Sequence, residues 1–309
     1  MSTSDPAAPA GRPLHWDRTI DRGLVHRDAI AEVLLTDLLR TGETSFLVAA
    51  QWSRSHRVYR PDATGRHDPM LFLESIRQSG LAVSHLAFGV GPDQQSLMRD
   101  VSFTLDPRTE PRGLLHSTNL AITVDCRDLI VRSGRLRGMT LELTFAADDL
   151  QFATGYGTIR WISAGSYAAL RARTGHRLDW DQLRWSSTIP PRVASTIRDA
   201  PDVLLAAEPG PGPRRRLVVP LEHPVYFDHA LDHAPGMLLM DAAWQAVFEH
   251  RGDRARLVSC ALDCPTFTEL GVDTDILLLP VSAQTTEFAV LQAGQRTAFG
   301  YVRVGPAPP

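Results

Sequence analysis

The chain has no lysine: all 32 of its Lys+Arg residues, in a length of 309, are arginine. Schiff-base chemistry through a lysine is therefore excluded. Any cation needed to hold a phosphate or carboxylate must be arginine, whose planar fork suits two-point anion recognition. With the abundant Ala, Gly and Pro, this usage fits a GC-rich bacterial genome. Cysteine is scarce and odd in number, at Cys126, Cys260 and Cys264. Only the last two are close, and no other zinc-ligand types accompany them, so neither a disulfide framework nor a zinc site is indicated. A reduced, cytoplasmic setting is expected. No apolar run approaches the ~20 residues of a membrane helix, and the first residues lack the basic start and apolar stretch of a signal peptide. The net charge of −3 gives no basic field for nucleic acid, and no recognition helix stands out. What remains, with 43% hydrophobic and 22% charged residues, is ordinary globular composition, long enough for about two domains at roughly 150 residues each.

Two segments resemble each other. The first carries Glu32-Val-Leu-Leu35 and later Asp68-Pro-Met-Leu-Phe-Leu-Glu74-Ser-Ile-Arg-Gln78. The second carries Asp202-Val-Leu-Leu205 and later Ala234-Pro-Gly-Met-Leu-Leu-Met-Asp241-Ala-Ala-Trp-Gln245. In both, a glutamine follows the acid by four residues. Half-buried strands are expected where apolar and polar residues alternate, at 120–125, 141–145 and 158–162. In the second segment strands are expected at 217–219, 276–279, 288–291 and 298–302. Each segment thus combines one apolar helix with several strands after it, an α+β arrangement. The expected organisation is a disordered tail over 1–18, a repeat over 19–165, a connection over 166–192 and a second repeat over 193–309. The run Pro209–Pro213 with Arg214-Arg215-Arg216 is expected to be a solvated surface turn.

From Pro69 to Ala82 the first helix has almost no conventional wet face. Glu74, Arg77 and Gln78 share one stripe, and Asp241 and Gln245 repeat it, with Trp244 where the arginine would be. A nearly all-apolar helix is a buried one, and a buried polar stripe must meet partners or face a cavity. The alternative is an exposed edge carrying a weak Glu74–Arg77 pair. Proline near each helix start suits the first turn, and Gly236 leaves backbone N–H groups approachable for an oxyanion. Upstream of Gly236 lie His229 and His233, which with a following carboxylate offer acid/base chemistry near neutral pH. As a metal pair they would need a helix, which Pro235 opposes, so no metal and no cofactor are called for.

The pieces Leu24-Val-His-Arg27, Glu32–Asp37, Glu74–Gln78 and Tyr226–Met240 together resemble the A-factor biosynthesis hotdog family. The stretch from His229 to Gln245 is also similar to the motif of hotdog acyl-carrier-protein dehydratases, shortened between the histidine and Pro-Gly. The family resemblance implies a double hotdog: two tandem repeats, each a curved antiparallel sheet around a long central helix. It implies an acyltransferase joining a β-ketoacyl thioester, on acyl-carrier protein or coenzyme A, to dihydroxyacetone phosphate. Closure of a ring by the carbon between the two carbonyls would follow, in biosynthesis of γ-butyrolactone, butenolide or furan autoregulators of actinomycete secondary metabolism. The hotdog dehydratases further imply composite sites, one joining His229 to Glu74, Arg77 and Gln78, the other built around Asp241. Asp241 and Trp244 depart from the family's usual glutamate and arginine. The expected catalytic residues are Glu74, His229, Gln78 and Asp241, and the expected substrate-binding residues Arg77, Gly236, Gln245 and His233. The base is His229 or Glu74, whose pKa burial would raise and Arg77 oppose. Oxyanion donors are backbone N–H groups near Met70 or Gly236. Arg77 is either a phosphate clamp or the orienting partner of Glu74, and His26 and Arg27 either belong to the site or cap the structure. Rival functions are a hotdog thioesterase or dehydratase without a phosphate partner, or a degenerate paralogue that binds an acyl chain or carrier protein. A monomer with an internal pseudo-dimer and a homodimer are both compatible with this reading.

Overall fold

The computed structural model of the chain describes residues 8–9, 12–173, 190–207, 212–251 and 255–306. It divides into two compact units, Met1–Leu170 and Arg171–Pro309. The boundary falls inside a helix, α2 (Ala164–Arg173), which buries none of its residues. The expected connection therefore begins as helix, and its part over 174–189 lies outside the described residues. Among the described residues no helix is long and apolar enough to cross a membrane.

In the first unit the strand order is β1-β2-β3-β5-β6-β7-β4. The strands are β1 (Ala8–Pro9), β2 (Leu35–Arg40), β3 (Ser45–Trp52), β4 (Gln94–Leu105), β5 (Thr118–Arg132), β6 (Arg135–Ala147) and β7 (Leu150–Ser163). All neighbours are antiparallel except β1 with β2. Three strands thus precede the helix, whereas the sequence pattern leads one to expect the strands after it. The helix α1 runs from Met70 to Phe88, about a turn and a half beyond the expected end, and Gly89 closes it in the left-handed conformation. It lies on β2, β3, β4, β6 and β7. The alternate residues Leu120, Ile122, Val124 and Cys126 of β5 are buried, as the period-two pattern requires. Phe72 stacks on Phe103 at 4.6 Å and meets Trp52 edge-on at 4.7 Å. Close approach of helix to sheet depends on small residues: a Cβ on Gly155 would lie 2.7 Å from Ile76 Cδ1, and one on Gly80 2.6 Å from Leu141 Cδ1. Trp52 and Trp161 donate their indole N–H groups to Ser75 and Ser84 of α1 at 3.0 and 3.1 Å, so the core carries these polar atoms satisfied.

Residues 12–18, expected as part of the disordered tail, are instead held against the first unit. Arg12 grips the buried Asp37 with two hydrogen bonds, and Trp16 donates to the Leu120 carbonyl at 3.3 Å.

In the second unit the antiparallel order is β9-β12-β11-β10-β8. These strands are β8 (Arg214–Arg216), β9 (Ala255–Asp263), β10 (Thr274–Pro280), β11 (Thr285–Gln292) and β12 (Gln295–Pro306). The helix α3 (Gly236–Arg251) packs on β9 to β12. The arginine triplet is not a solvated turn: it forms β8, with Arg215 buried and paired to Glu249 at 2.8 Å, while Arg214 and Arg216 pair with Asp275. The strand expected at 217–219 is reduced to a single bridge between Leu217 and Leu205. Each unit therefore sets one buried helix, with its polar stripe, on an antiparallel sheet.

Candidate active site

Glu74 is nearly inaccessible at 3% exposure, and its neighbours answer the cost of burial. Arg27 donates from Nε to Oε1 at 3.1 Å and approaches the same oxygen with Nη2 at 2.8 Å. Arg77 forks onto both oxygens, Nε to Oε2 at 2.9 Å and Nη2 to Oε1 at 2.8 Å, and Gln78 Nε2 adds a bond of 2.6 Å. Burial pushes the Glu74 pKa up, but the charges of Arg27 and Arg77 and the hydrogen bonds from Arg77 and Gln78 outweigh it. The carboxyl is held well below the usual range. Of the two opposing effects expected at Glu74, the arginines prevail over burial, and Glu74 is an ionised anchor with both oxygens occupied. A free base it is not. The exposed-edge alternative also falls, because Glu74 is buried and Arg77 is half-buried against it. Arg77 thus pairs with Glu74 as the orienting reading requires, and its Nη2 also donates to the Val25 carbonyl at 3.1 Å. Its Nη1 takes no protein acceptor among the described residues, and the side chain keeps 20% exposure.

Gln78 is wholly spent on the frame. Its Oε1 accepts from Leu34 N at 2.9 Å and its Nε2 also donates to the Glu32 carbonyl at 2.7 Å. Glu32 lies 3.4 Å from His56 Nε2, while His56 Nδ1 accepts from the backbone N–H groups of Val58 and Tyr59. The His56 and Tyr59 rings stack at 4.8 Å.

The second unit builds the same frame with other charges. Asp241, with no exposed surface, receives Arg198 Nε on Oδ2 at 3.2 Å and Nη2 on Oδ1 at 2.9 Å. Tyr226 donates its phenol to Oδ2, and Gln245 Nε2 donates to Oδ1 at 3.2 Å. Gln245 also binds Leu204 N at 2.8 Å and the Asp202 carbonyl at 3.2 Å. His223 Nε2 meets Asp202 at 3.0 Å, and its Nδ1 accepts from Val225 and Tyr226. Trp244, where the first unit has Arg77, is buried and lies edge-on to Phe248 at 5.3 Å.

The loop before α3 carries the expected histidines. His229 has a side chain 42% exposed, with Nδ1 3.6 Å from Asp228, too long for a hydrogen bond. His233 is tied to Asp232 by a bond of 2.7 Å at Nδ1. Gly236 opens α3, but a Cβ there would meet only Leu262 at 3.5 Å and Cys264 Sγ at 3.9 Å, ordinary contact. The position does not need glycine for space. At α1 the expected oxyanion donor is already taken: Met70 N–H donates to Asp68 Oδ1 at 2.9 Å.

The sequence reading left Arg198, His56, Tyr59 and His223 unassigned, and gave Tyr226 and Arg27 no partner. A signal existed. His-x-Val-Tyr occurs at 56–59 and 223–226, and from there to Gln78 and Gln245 the two segments run in step without a gap. The same register sets Asp62 opposite His229, and Asp62 caps a turn by accepting from Thr64 N at 2.8 Å and Arg66 N at 3.0 Å.

The family described as A-factor biosynthesis hotdog domain matches residues 11–163 and 198–293. A curated relative from Streptomyces virginiae, named 2-oxo-3-(phosphooxy)propyl 3-oxoalkanoate synthase, is 39% identical over 229 residues, covering 74% of this chain and 76% of the relative. A relative of the same name from Streptomyces griseus is 27% identical, covering 72% of each chain. Among solved structures, an acyl-ACP thioesterase from Bacteroides thetaiotaomicron is similar with a TM-score of 0.53 and 12% identity, over 86% of this chain and 100% of the other. The 12:0-ACP thioesterase from Umbellularia californica gives 0.53 at 8%, over 86% and 99%. At such identities these two show a shared fold and nothing of activity.

Proposed function

The chain belongs to the A-factor biosynthesis hotdog family, and from that premise we propose that it is an acyltransferase. It moves a β-ketoacyl group from a thioester to the hydroxyl of dihydroxyacetone phosphate. The product is the phosphorylated ester from which γ-butyrolactone, butenolide or furan signals are made. The observation that carries this reading is the 39% identity, over three quarters of the chain, to a synthase named for such an ester. Each unit is one hotdog repeat, a long buried helix on an antiparallel sheet.

Within that reading the residues take the following roles. Arg77 holds the phosphate through Nη1, the part of its fork that Glu74 and Val25 leave unused. Glu74 and Gln78 act by keeping Arg77 and the Glu32–Leu34 turn in place. Asp241 and Gln245 hold the second frame, and the loop before α3 bears the candidate bases His229 and His233 and, at Gly236, candidate backbone donors. The donor is a β-ketoacyl group on acyl-carrier protein or coenzyme A.

The test is mass spectrometry of products from purified protein given a 3-oxoacyl thioester with and without dihydroxyacetone phosphate. The expected result is a phosphate-bearing ester that needs both substrates. Free acid formed equally without the phosphate would favour the thioesterase, a dehydrated acyl chain the dehydratase, and binding without turnover the degenerate paralogue. Arg77→Met is expected to raise KM for dihydroxyacetone phosphate about tenfold or more, the worth of one charge-assisted hydrogen bond.

A further inference from the structure

Among the histidines that the frames bring to notice, His233 differs in how its ring is used. His223 has both nitrogens engaged, Nδ1 by backbone N–H groups and Nε2 by Asp202, which suits a purely structural role. His233 has only Nδ1 engaged, by Asp232 Oδ1 at 2.7 Å. A carboxylate only accepts, so the proton must sit on Nδ1 and the Nε2 lone pair is left available. Among the described residues Nε2 has no partner, and the side chain keeps 27% exposure. This is the tautomer an acid–histidine dyad needs to act as a base.

The dyad is also held in place. Arg171 donates to Asp232 Oδ2 at 2.9 Å and to the Asp232 carbonyl at 2.9 Å. Its remaining donors fork onto both oxygens of Glu269 at 2.8 and 2.7 Å. The guanidinium lies 4.6 Å over the Phe267 ring, and the His233 ring sits 4.8 Å from the same ring. Ala234 N–H donates to the Thr268 carbonyl at 2.8 Å, and Gln292 binds both the N–H and the carbonyl of Glu269. Neither histidine orientation nor carboxylate position is left to a floppy loop, the condition for efficient proton transfer.

We propose that His233, oriented by Asp232, is the general base of the acyl transfer, in place of the substrate-binding role expected for it and of His229. The inference rests on the acyltransferase reading above. Nε2 takes the proton from the hydroxyl of dihydroxyacetone phosphate as its oxygen forms a bond to the thioester carbonyl carbon. The C–S bond then breaks, and the imidazolium returns that proton to the leaving thiolate, so ester and free thiol are the products. Asp232 is a positioning residue.

His233→Asn is expected to lower kcat at least a hundredfold with KM changed less than threefold, and His233→Ala to regain activity with added imidazole. Asp232→Asn is expected to lower kcat at least tenfold. It should also shift the His233 ring away from the Nδ1–H tautomer in the 15N spectrum, since the carboxylate that holds that proton is lost. A His233→Asn protein that keeps more than a third of wild-type kcat overturns the proposal. A second measurement does not depend on turnover: 15N-histidine NMR, assigned through the His233→Asn difference, should show the Nδ1–H tautomer at His233. An Nε2–H tautomer there overturns the dyad. Absence of ester from wild-type protein overturns the acyltransferase reading, and the NMR result then still decides the dyad.

Discussion

Glu74 and Asp241 stand at equivalent points of two frames that share their helix, glutamine, His-x-Val-Tyr turn and upstream acid, yet differ by one cation. Two guanidinium groups surround Glu74, whereas one guanidinium and a phenol complete Asp241. The frame is therefore the common invention, and its charge is adjustable. A buried carboxylate with one arginine is balanced. Glu74 has two, and although Glu32 also faces Arg27, Arg77 Nη1 is left unused among the described residues and is the donor open to an anion. Trp244 closes that possibility in the second unit, and its ring is buried instead.

The difference predicts unequal responses to losing the shared arginine, the largest effect expected. Arg198→Met removes the guanidinium that forks onto the buried Asp241, and breaking such a buried pair typically costs about 3–5 kcal/mol. Arg27→Met leaves Glu74 still forked by Arg77, and about 1–3 kcal/mol is expected. The urea midpoints of the two variants measure the contrast. Equal losses would mean that Arg77, being partly exposed, does not neutralise Glu74, and the contrast between one arginine and two would fail.

How much of this was legible follows from separation along the chain. The stripe of Glu74, Arg77 and Gln78 repeats at helical spacing, so the helices and their buried polar face could be read directly. Strands with clean alternation, as in β5 and β11, could be read too. β4 could not, because Gln94–Leu105 mixes charged and apolar residues and its register shifts between Met98 and Asp100. Arg27 and Arg198 were hidden for another reason. Each lies more than forty residues before its carboxylate, and no local period connects them. Arg198 also follows a Pro-rich, charged stretch that looks like linker. The in-step run from His56 to Gln78 and from His223 to Gln245 is, with the repeated acid-Val-Leu-Leu pieces at 32–35 and 202–205, the long-range signal in the sequence, and it is carried by a few identities among many substitutions.

An intermediate effect is expected from Glu74→Gln, about 3 kcal/mol at pH 7, with a definite dependence on pH. The folded carboxyl titrates below its unfolded value near 4.3. Its contribution is therefore complete above that value and is lost as pH falls through it towards the lower folded value. The stability gap between wild type and variant, followed by urea unfolding, should be full at pH 7 and shrink below about pH 4. A gap that instead widens in acid would mean that Glu74 is neutral in the folded protein, and that the two arginines do not hold it ionised.

The smallest effect belongs to the phenol that stands in for the second cation. Tyr226→Phe removes one donor from Asp241 and leaves Arg198 and Gln245 in place. A hydrogen bond to a charged group is worth about 1.5–3 kcal/mol, the low end applies because two other donors remain, and the ring's contact with His223 at 4.3 Å is kept. The urea midpoint should therefore fall by less than for Arg27→Met or Arg198→Met. A loss as large as that of Arg198→Met would make the phenol the determining partner of Asp241. The two units would then differ in the kind of group that stabilises the carboxylate, and a count of cations would no longer describe them.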